Sequence, residues 1–184
     1  MKNLVFFLEE PSAREMLKGL LPRLLPDNVH TQYVVFEGKQ DLEKRLPIRL
    51  RAWQVPDSLF VVMRDQDSGD CIAIKRALTQ KCADAGKPDT LVRIACRELE
   101  SFYLADLAAI AAAIGPAHLP NMQNRQRYRS PDSIQNPAVE LKKIAPEYQK
   151  LSGSRAIGTH LDINNQRSHS FGVFVSGVKA LLEG

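Results

Sequence analysis

The sequence predicts an α/β fold: a three-layer, mostly parallel four-stranded sheet of the Rossmann-like kind with a C-terminal helical extension. Three observations carry this. Short apolar runs recur at Asn3–Leu8, Thr31–Phe36, Leu59–Met63 and Thr90–Ala95. Segments with helical spacing separate them, and a βαβαβαβα order builds a parallel sheet with helices on its faces. The run Leu59-Phe60-Val61-Val62-Met63 also shows no alternation with polar residues, as a strand covered on both sides requires.

In order, Asn3 to Leu8 ends at Glu9-Glu10, and Pro11-Ser12 opens a helix. Ser12 and Glu15 have capping-box spacing, and Leu17, Leu20, Leu21 and Leu24 form the apolar stripe that follows. Pro22 kinks or ends this helix, and Pro26-Asp27-Asn28 closes the unit. Thr31 to Phe36 is rich in β-branched and aromatic residues and stops at Gly38. Asp41 to Trp53 has helical spacing broken by Pro47, which predicts two short helices or one kinked helix.

Gly69 to Ala85 reads as a helix with Ile72, Ala73, Ala77, Leu78 and Cys82 inward and Gly86 as its stop. Asp67 or Ser68 is suited to capping it. Arg97 to Ile114 follows as one helix, ended by Gly115-Pro116. From Gly115 to Asn136 the chain turns Pro- and Asn-rich, and Arg125, Arg127 and Arg129 alternate, which would place them on one side of an extended segment. Ala138 to Leu151 reads as a helix containing Pro146, and Ser152 to Gln166 as loop. Ser170 to Leu182 is a final helix with a Phe171, Phe174, Val175, Val178, Leu181, Leu182 stripe. The expected organisation is an α/β core at 1–114 and a basic loop and helical extension at 115–184 packed on the same domain.

The 184 residues, 44% hydrophobic and 25% charged, have the balance of an ordinary globular protein. There is no run of about 18 apolar residues to span a membrane. The apolar stretch at the N-terminus is too short for a signal peptide and ends in carboxylates. Cys71, Cys82 and Cys96 are odd in number and lack CxxC spacing, which argues against a disulfide framework or a zinc site. The expectation is a cytoplasmic protein with reduced thiols and no membrane partner. The net charge of +4 is unevenly placed: residues 1–122 hold 16 basic and 16 acidic side chains, whereas 123–184 hold 9 and 5. That basic last third is a candidate contact with nucleic acid.

Chemistry concentrates where strands end. Glu9 follows the first strand, Asp65 and Asp67 the third, and Glu98 and Glu100 the fourth. In a parallel sheet these ends share one edge, where ligands bind. Carboxylates held close repel each other, and a hard cation such as Mg²⁺ or Mn²⁺ relieves the repulsion through oxygen ligation. Each acid has a plainer reading beside this one. Asp65 starts a turn, Glu9 or Glu10 favours a helix N-terminus, Glu98 caps a helix, and Glu100 pairs with a surface lysine. Two residues apart, Glu98 and Glu100 cannot share a helical face; Glu98, nearer the strand end, is the first choice and Glu100 the second.

Other chemistries lack their motifs. No GxxxxGK[ST] marks a phosphate-binding loop, no GxGxxG follows a strand, and neither HExxH nor a nucleophile elbow occurs. Cys96 before Arg97 reads as a buried strand-end thiol. His160 and His169, in the basic tail, are candidates for proton transfer.

Four stretches together carry a family likeness: Phe7-Leu8-Glu9-Glu10-Pro11-Ser12, Arg64-Asp65-Gln66-Asp67-Ser68, Ala95-Cys96-Arg97-Glu98-Leu99-Glu100-Ser101-Phe102-Tyr103-Leu104-Ala105-Asp106, and Arg167-Ser168-His169-Ser170-Phe171. A Glu after the first strand and DxD after a later one resemble the Toprim domain of topoisomerases, primases and OLD-type nucleases. The set as a whole resembles domain-of-unknown-function family 4276, a Toprim-like bacterial group often found beside ATPases and in phage-defence contexts. The resemblance implies a Mg²⁺- or Mn²⁺-dependent nuclease that hydrolyses phosphodiesters and works with an ATPase partner. It makes Glu9 a metal ligand or general base, has Asp65 and Asp67 hold the ion, and has Glu98 complete its ligands or hold a second ion. Arg64, Arg125, Arg127, Arg129, Lys142, Lys143, Arg155 and Arg167 would hold phosphates. The family's first motif usually reads Val-Glu-Gly-x-Ser-Asp, and here Glu10 and Ala13 replace the Gly and Asp. That departure motivates the alternative, a non-catalytic binding module on a Toprim scaffold.

Overall fold

The computed structural model describes residues 2–184. Four parallel strands, β1 (Lys2–Leu8), β2 (Val29–Val35), β3 (Ser58–Asp65) and β4 (Leu91–Ala95), form one sheet in the order β2-β1-β3-β4. Strand β1 is central, and Leu4 through Leu8 are wholly buried because each face of the sheet carries its own core. Leu4, Phe6 and Leu8, with Val61 and Met63 of β3, meet one helical layer. Val5 and Phe7, with Phe60 and Val62, meet the other. The period-2 alternation of side chains across the pleat sends neighbours of one apolar run into two separate cores.

Helices α1 (Pro11–Leu20), α4 (Glu100–Leu104), α5 (Leu107–Ile114), α7 (Pro137–Ile144), α8 (Lys150–Gly158) and α9 (His169–Glu183) build the larger layer. A four-residue turn, α6 (Gln126–Arg129), lies between α5 and α7. Helices α2 (Lys39–Arg51) and α3 (Cys71–Asp84) cover the opposite face. The three-layer α/β architecture with a parallel four-stranded sheet is the expected one.

Several local expectations give way to stronger constraints. Helix α1 starts at Pro11, so Glu10 occupies the cap position and the Ser12–Glu15 capping box does not form. Ser12 Oγ donates instead to Glu10 Oε1 at 2.5 Å, and Glu15 pairs with Arg14 and Lys18. Pro47 leaves α2 a single helix, because Leu42, Leu46 and Leu50 keep one continuous buried stripe across it. Helix α3 begins at Cys71 with Asp70 as its cap, its carboxylate accepting the Ala73 N–H at 2.7 Å. Of its expected inward residues only Leu78 and Cys82 are buried; Ile72, Ala73 and Ala77 are exposed. The expected helix 97–114 is interrupted at Asp106, whose Oδ1 accepts the Ala109 N–H at 3.0 Å and starts α5 anew. A carboxylate that satisfies backbone donors locally competes with helix continuation.

In the last third, Arg125, Arg127 and Arg129 fall on or beside α6, not on an extended segment, so their alternation does not gather them on one face. The single helix expected at 138–151 is two, α7 and α8, split before Pro146, which disfavours helix at the residue preceding it. Helix α8 occupies much of the expected loop and lies tightly on α1. A Cβ on Gly158 would come within 2.4 Å of the Met16 carbonyl oxygen, and one on Gly19 within 2.6 Å of the Thr159 nitrogen. Backbone at that separation admits only hydrogen at the two sites.

We propose that the last third and the sheet unfold as one unit through this contact. Gly158→Ala should then destabilise the whole protein by about 3 kcal/mol, the upper range of overpacking costs, in one transition followed by circular dichroism and tryptophan fluorescence. Early loss of helix with Trp53 fluorescence intact would mean that residues 115–184 form a separate unit.

Candidate metal centre

Register brings the acids together. Leu8 pairs with Met63, and the Glu9 N–H extends the ladder to the Met63 carbonyl at 3.3 Å. Glu9 thus leaves β1 beside the end of β3, and its Oε2 accepts the Asp65 N–H at 3.0 Å. Arg64 locks this arrangement from below. It is 5% exposed, and its Nε donates to the Asp65 carbonyl at 3.0 Å and lies 3.9 Å from Glu9 Oε2. Its Nη1 is bound to Glu43 of α2. Arg64 is therefore committed to holding the carboxylates, and phosphate would have to displace Glu43 or Glu9 to reach it.

Asp65 lies among acids. Enclosure, then the charges of Glu10, Glu100 and Glu9, push its carboxyl well above the ordinary range, against the Leu99 N–H. Burial raises Glu9 as well, opposed by the Asp65 N–H and by Arg64. Glu100, the first residue of α4, is buried and accepts the Tyr148 hydroxyl at 3.0 Å. Burial raises its carboxyl too, despite Lys150 and Tyr148. At the start of α8, Lys150 Nζ contacts Glu10 Oε2 at 2.6 Å.

Asp67 and Arg97 both hold left-handed backbone conformations, at φ 55° and 60°. The Asp67 N–H donates to the Arg97 carbonyl at 2.7 Å, so the two strand-end loops support each other's strain. The Asp67 carboxylate is turned toward Lys39, 2.8 Å away. Glu98 turns elsewhere, its Oε2 accepting the Ala138 N–H at 2.7 Å at the N-terminus of α7. The structure therefore gathers Glu9, Asp65 and Glu100, adds Glu10, holds Asp67 on the adjoining loop, and takes Glu98 away.

Glu10 was legible as an acid at a helix N-terminus and as a departure from a family motif, but not as a member of the acidic cluster. Lys39, Glu43, Tyr148 and Lys150 carried no local signal, because only the fold brings them to the strand ends.

The basic candidates are dispersed. Arg127 pairs with Glu140 at 2.5 Å, Arg129 donates to the Asn124 carbonyl, and Lys142 donates to that of Tyr148. Arg155 lies 3.6 Å from Glu15. Arg125, Lys143 and Arg167 are exposed and make no ion pair with a described residue. His160 and His169 are exposed.

Among the described residues, no three His, Cys, Asp or Glu side chains are arranged to hold a metal ion as they stand. The chemistry of the set nonetheless fits a hard divalent cation: its donors are carboxylate oxygens, and burial and mutual repulsion raise three of them. No helix of the described residues is long and apolar enough to cross a membrane.

A parallel sheet with acids collected at the carboxyl ends of β1 and β3 defines an α/β domain whose candidate site lies at the edge where open parallel sheets bind ligands. The profile of the domain of unknown function DUF4276 matches residues 8–179, and the chain belongs to that family. Among solved structures, the C-terminal region of the Burkholderia pseudomallei OLD protein is similar over 95% of this chain and 98% of that one, at 13% identity and a TM-score of 0.49. No curated protein matches the sequence.

Raised carboxyls have a stability signature of definite sign. Glu9, Asp65 and Glu100 keep protons to higher pH folded than unfolded, so stability falls as pH rises above about 4 through their folded values. Asp65→Asn removes one such group. By urea denaturation it should be more stable than the parent at pH 8, with the difference vanishing near pH 4; a less stable variant at pH 8 would show that the Asp65 charge is favourably held.

Proposed function

We propose that the protein is a divalent-metal-dependent phosphodiester hydrolase acting on nucleic acid. One observation carries the reading: Glu9, Asp65 and Glu100, distant in sequence, meet at the carboxyl edge of the sheet with more negative charge than the neighbouring cations offset. In this reading Glu9, Asp65 and Glu100 hold Mg²⁺ or Mn²⁺, with Asp67 at the rim of the site. When bound, the cation polarises a phosphoryl oxygen and lowers the pKa of a water molecule. Glu9 is oriented for its role by the Asp65 N–H and Arg64, and is a candidate to accept a proton from the attacking water. Tyr148 fixes Glu100. Lys150 supplies a positive charge beside the acids, and the exposed Arg125, Lys143 and Arg167 are candidates for phosphate contact. Glu98 is left out, because it holds the start of α7. Release of activity by a partner ATPase and a role in phage defence belong to the same proposal and rest on the family likeness.

A second reading has its own support. Lys150 on Glu10, Lys39 on Asp67 and Arg64 on Glu9 already offset part of the acidic charge, as suits a scaffold that binds partners without catalysis.

Thermal denaturation with and without metal separates the two. A site of Kd about 1 mM, loaded at 10 mM Mg²⁺, contributes about 1.4 kcal/mol, or about 3–5 °C for a chain of this size. The hydrolase reading expects that rise at pH 7.5 and its loss in Asp65→Ala. It also expects Mg²⁺- or Mn²⁺-dependent cleavage of DNA or RNA, alone or with an adjacent ATPase, falling at least about 100-fold in Asp65→Ala. Cleavage that persists in that variant would remove the assigned site, and no melting shift with either cation would favour the scaffold.

A further inference from the structure

The edge of the sheet at β4 carries an open groove of about 680 Å³ between α3 and α9. Its floor is apolar, with Val92 and Ile94 of β4 and Val173 of α9, and Ile72 stands on its α3 wall 71% exposed. Lys75, Arg76, Arg93 and His169 supply its basic side chains, and no Asp or Glu lines it among the described residues. The α3 wall runs from Ile72 to Ala83, about three turns or 16 Å.

The strand edge itself is partly closed. Arg93 folds along it, donating to the carbonyls of Val92 and Val173 at 3.0 Å each, and Cys96 N–H donates to Ser170 Oγ at 3.2 Å. Gly177 makes room for this guanidinium, since a Cβ there would lie 2.5 Å from Arg93 Nη2. An added strand would have to break these bonds, whereas a helix would lie over them. We propose that the groove is the docking site for an acidic amphipathic helix of a partner protein, about 12 residues long. Its apolar stripe covers Ile72, Ile94 and Val173, and its carboxylates face Lys75, Arg76 and His169.

Charge selects this occupant over a second copy of the chain. The protein is net +4, and none of its described helices of eight or more residues has a net negative charge. An apolar floor likewise suits side chains better than a phosphate backbone, whose recognition is dominated by cations. The proposal is independent of the hydrolase reading, because no residue named for the metal lines the groove.

The test is selection of displayed random 16-residue peptides on the full-length protein, with the winners' affinities measured by fluorescence anisotropy. The expected winners are acidic, with apolar residues at i, i+3, i+4 and i+7. They should lose at least tenfold affinity for Ile72→Asp and for Lys75→Glu/Arg76→Glu, substitutions of exposed side chains whose melting temperatures verify an intact fold. Neutral or basic winners, winners indifferent to both variants, or an empty selection would overturn the proposal. So would a labelled dT20 strand whose affinity falls in Lys75→Glu/Arg76→Glu, which would make the groove a nucleic-acid contact. A dimer in sedimentation equilibrium that dissociates in Ile72→Asp would overturn it in favour of self-association.

Discussion

The parallel pairing of β1 with β3 is the constraint on which the site depends. In the order β2-β1-β3-β4 these two strands are neighbours, and the pairing of Leu8 with Met63 makes Glu9 and Asp65 emerge side by side. Moving the register by one residue would turn Glu9 toward the opposite face and separate the pair. That register is held by two cores at once, because alternate residues of both strands are buried in separate layers. Stabilisation is thus spent far from the strand ends and determines what happens at them. Carboxylates that repel one another stay together because the strands beneath them have no other place to go.

Arg64 shows how the cost of that proximity is limited. A buried arginine without partners would be strongly destabilising, but here its guanidinium meets Glu9, Glu43 and the Asp65 carbonyl. It joins β3 to α2 and steadies Glu9 in one contact. The left-handed pair Asp67 and Arg97 acts similarly at the loops: each residue costs strain of about 1–3 kcal/mol, and the hydrogen bond between their backbones fixes both loops where β3 and β4 end. Strain and buried charge concentrate at the edge where the chemistry is proposed, and the regular sheet compensates for both.

Much of the fold was legible because buried parallel strands write their signature locally. All four strands lie within about two residues of the apolar runs that predict them. What was not legible follows from sheet order, which composition does not carry. Helix α3 has a plausible apolar stripe in Ile72, Ala73 and Ala77, yet β4 is the edge strand, so there is no sheet beyond it for that stripe to cover. The site was partly legible for the same reason as the strands: an acid directly after an apolar run marks a strand end. The choice between Glu98 and Glu100 was not, since it turns on Arg97. A helix running straight on from residue 97 would favour Glu98, but the left-handed Arg97 ends that geometry, α4 starts at Glu100, and Glu98 is carried to α7. The arginines at 125, 127 and 129 mislead similarly, because alternation has a meaning on a strand that it loses on a helical turn.

The substitution of Glu10 for the glycine of the family motif acquires a different sense in this setting. A glycine there would serve the turn; Glu10 instead occupies the cap position of α1, in extended conformation, which needs no glycine. Its carboxylate adds repulsion on Asp65 and recruits Lys150, and with it the start of α8, to the same edge. Added acid and added lysine nearly cancel as charges, so the electrostatic consequence is local: Glu10 and Lys150 satisfy each other, while Asp65, which makes no ion pair with a described residue, keeps the least compensated charge. A cation entering this edge would therefore find its strongest attraction at Asp65, flanked by Glu9 and Glu100. The departure from the motif thus leaves the focus of negative charge where the strand register puts it, and couples that focus to the C-terminal helices that a glycine could not reach.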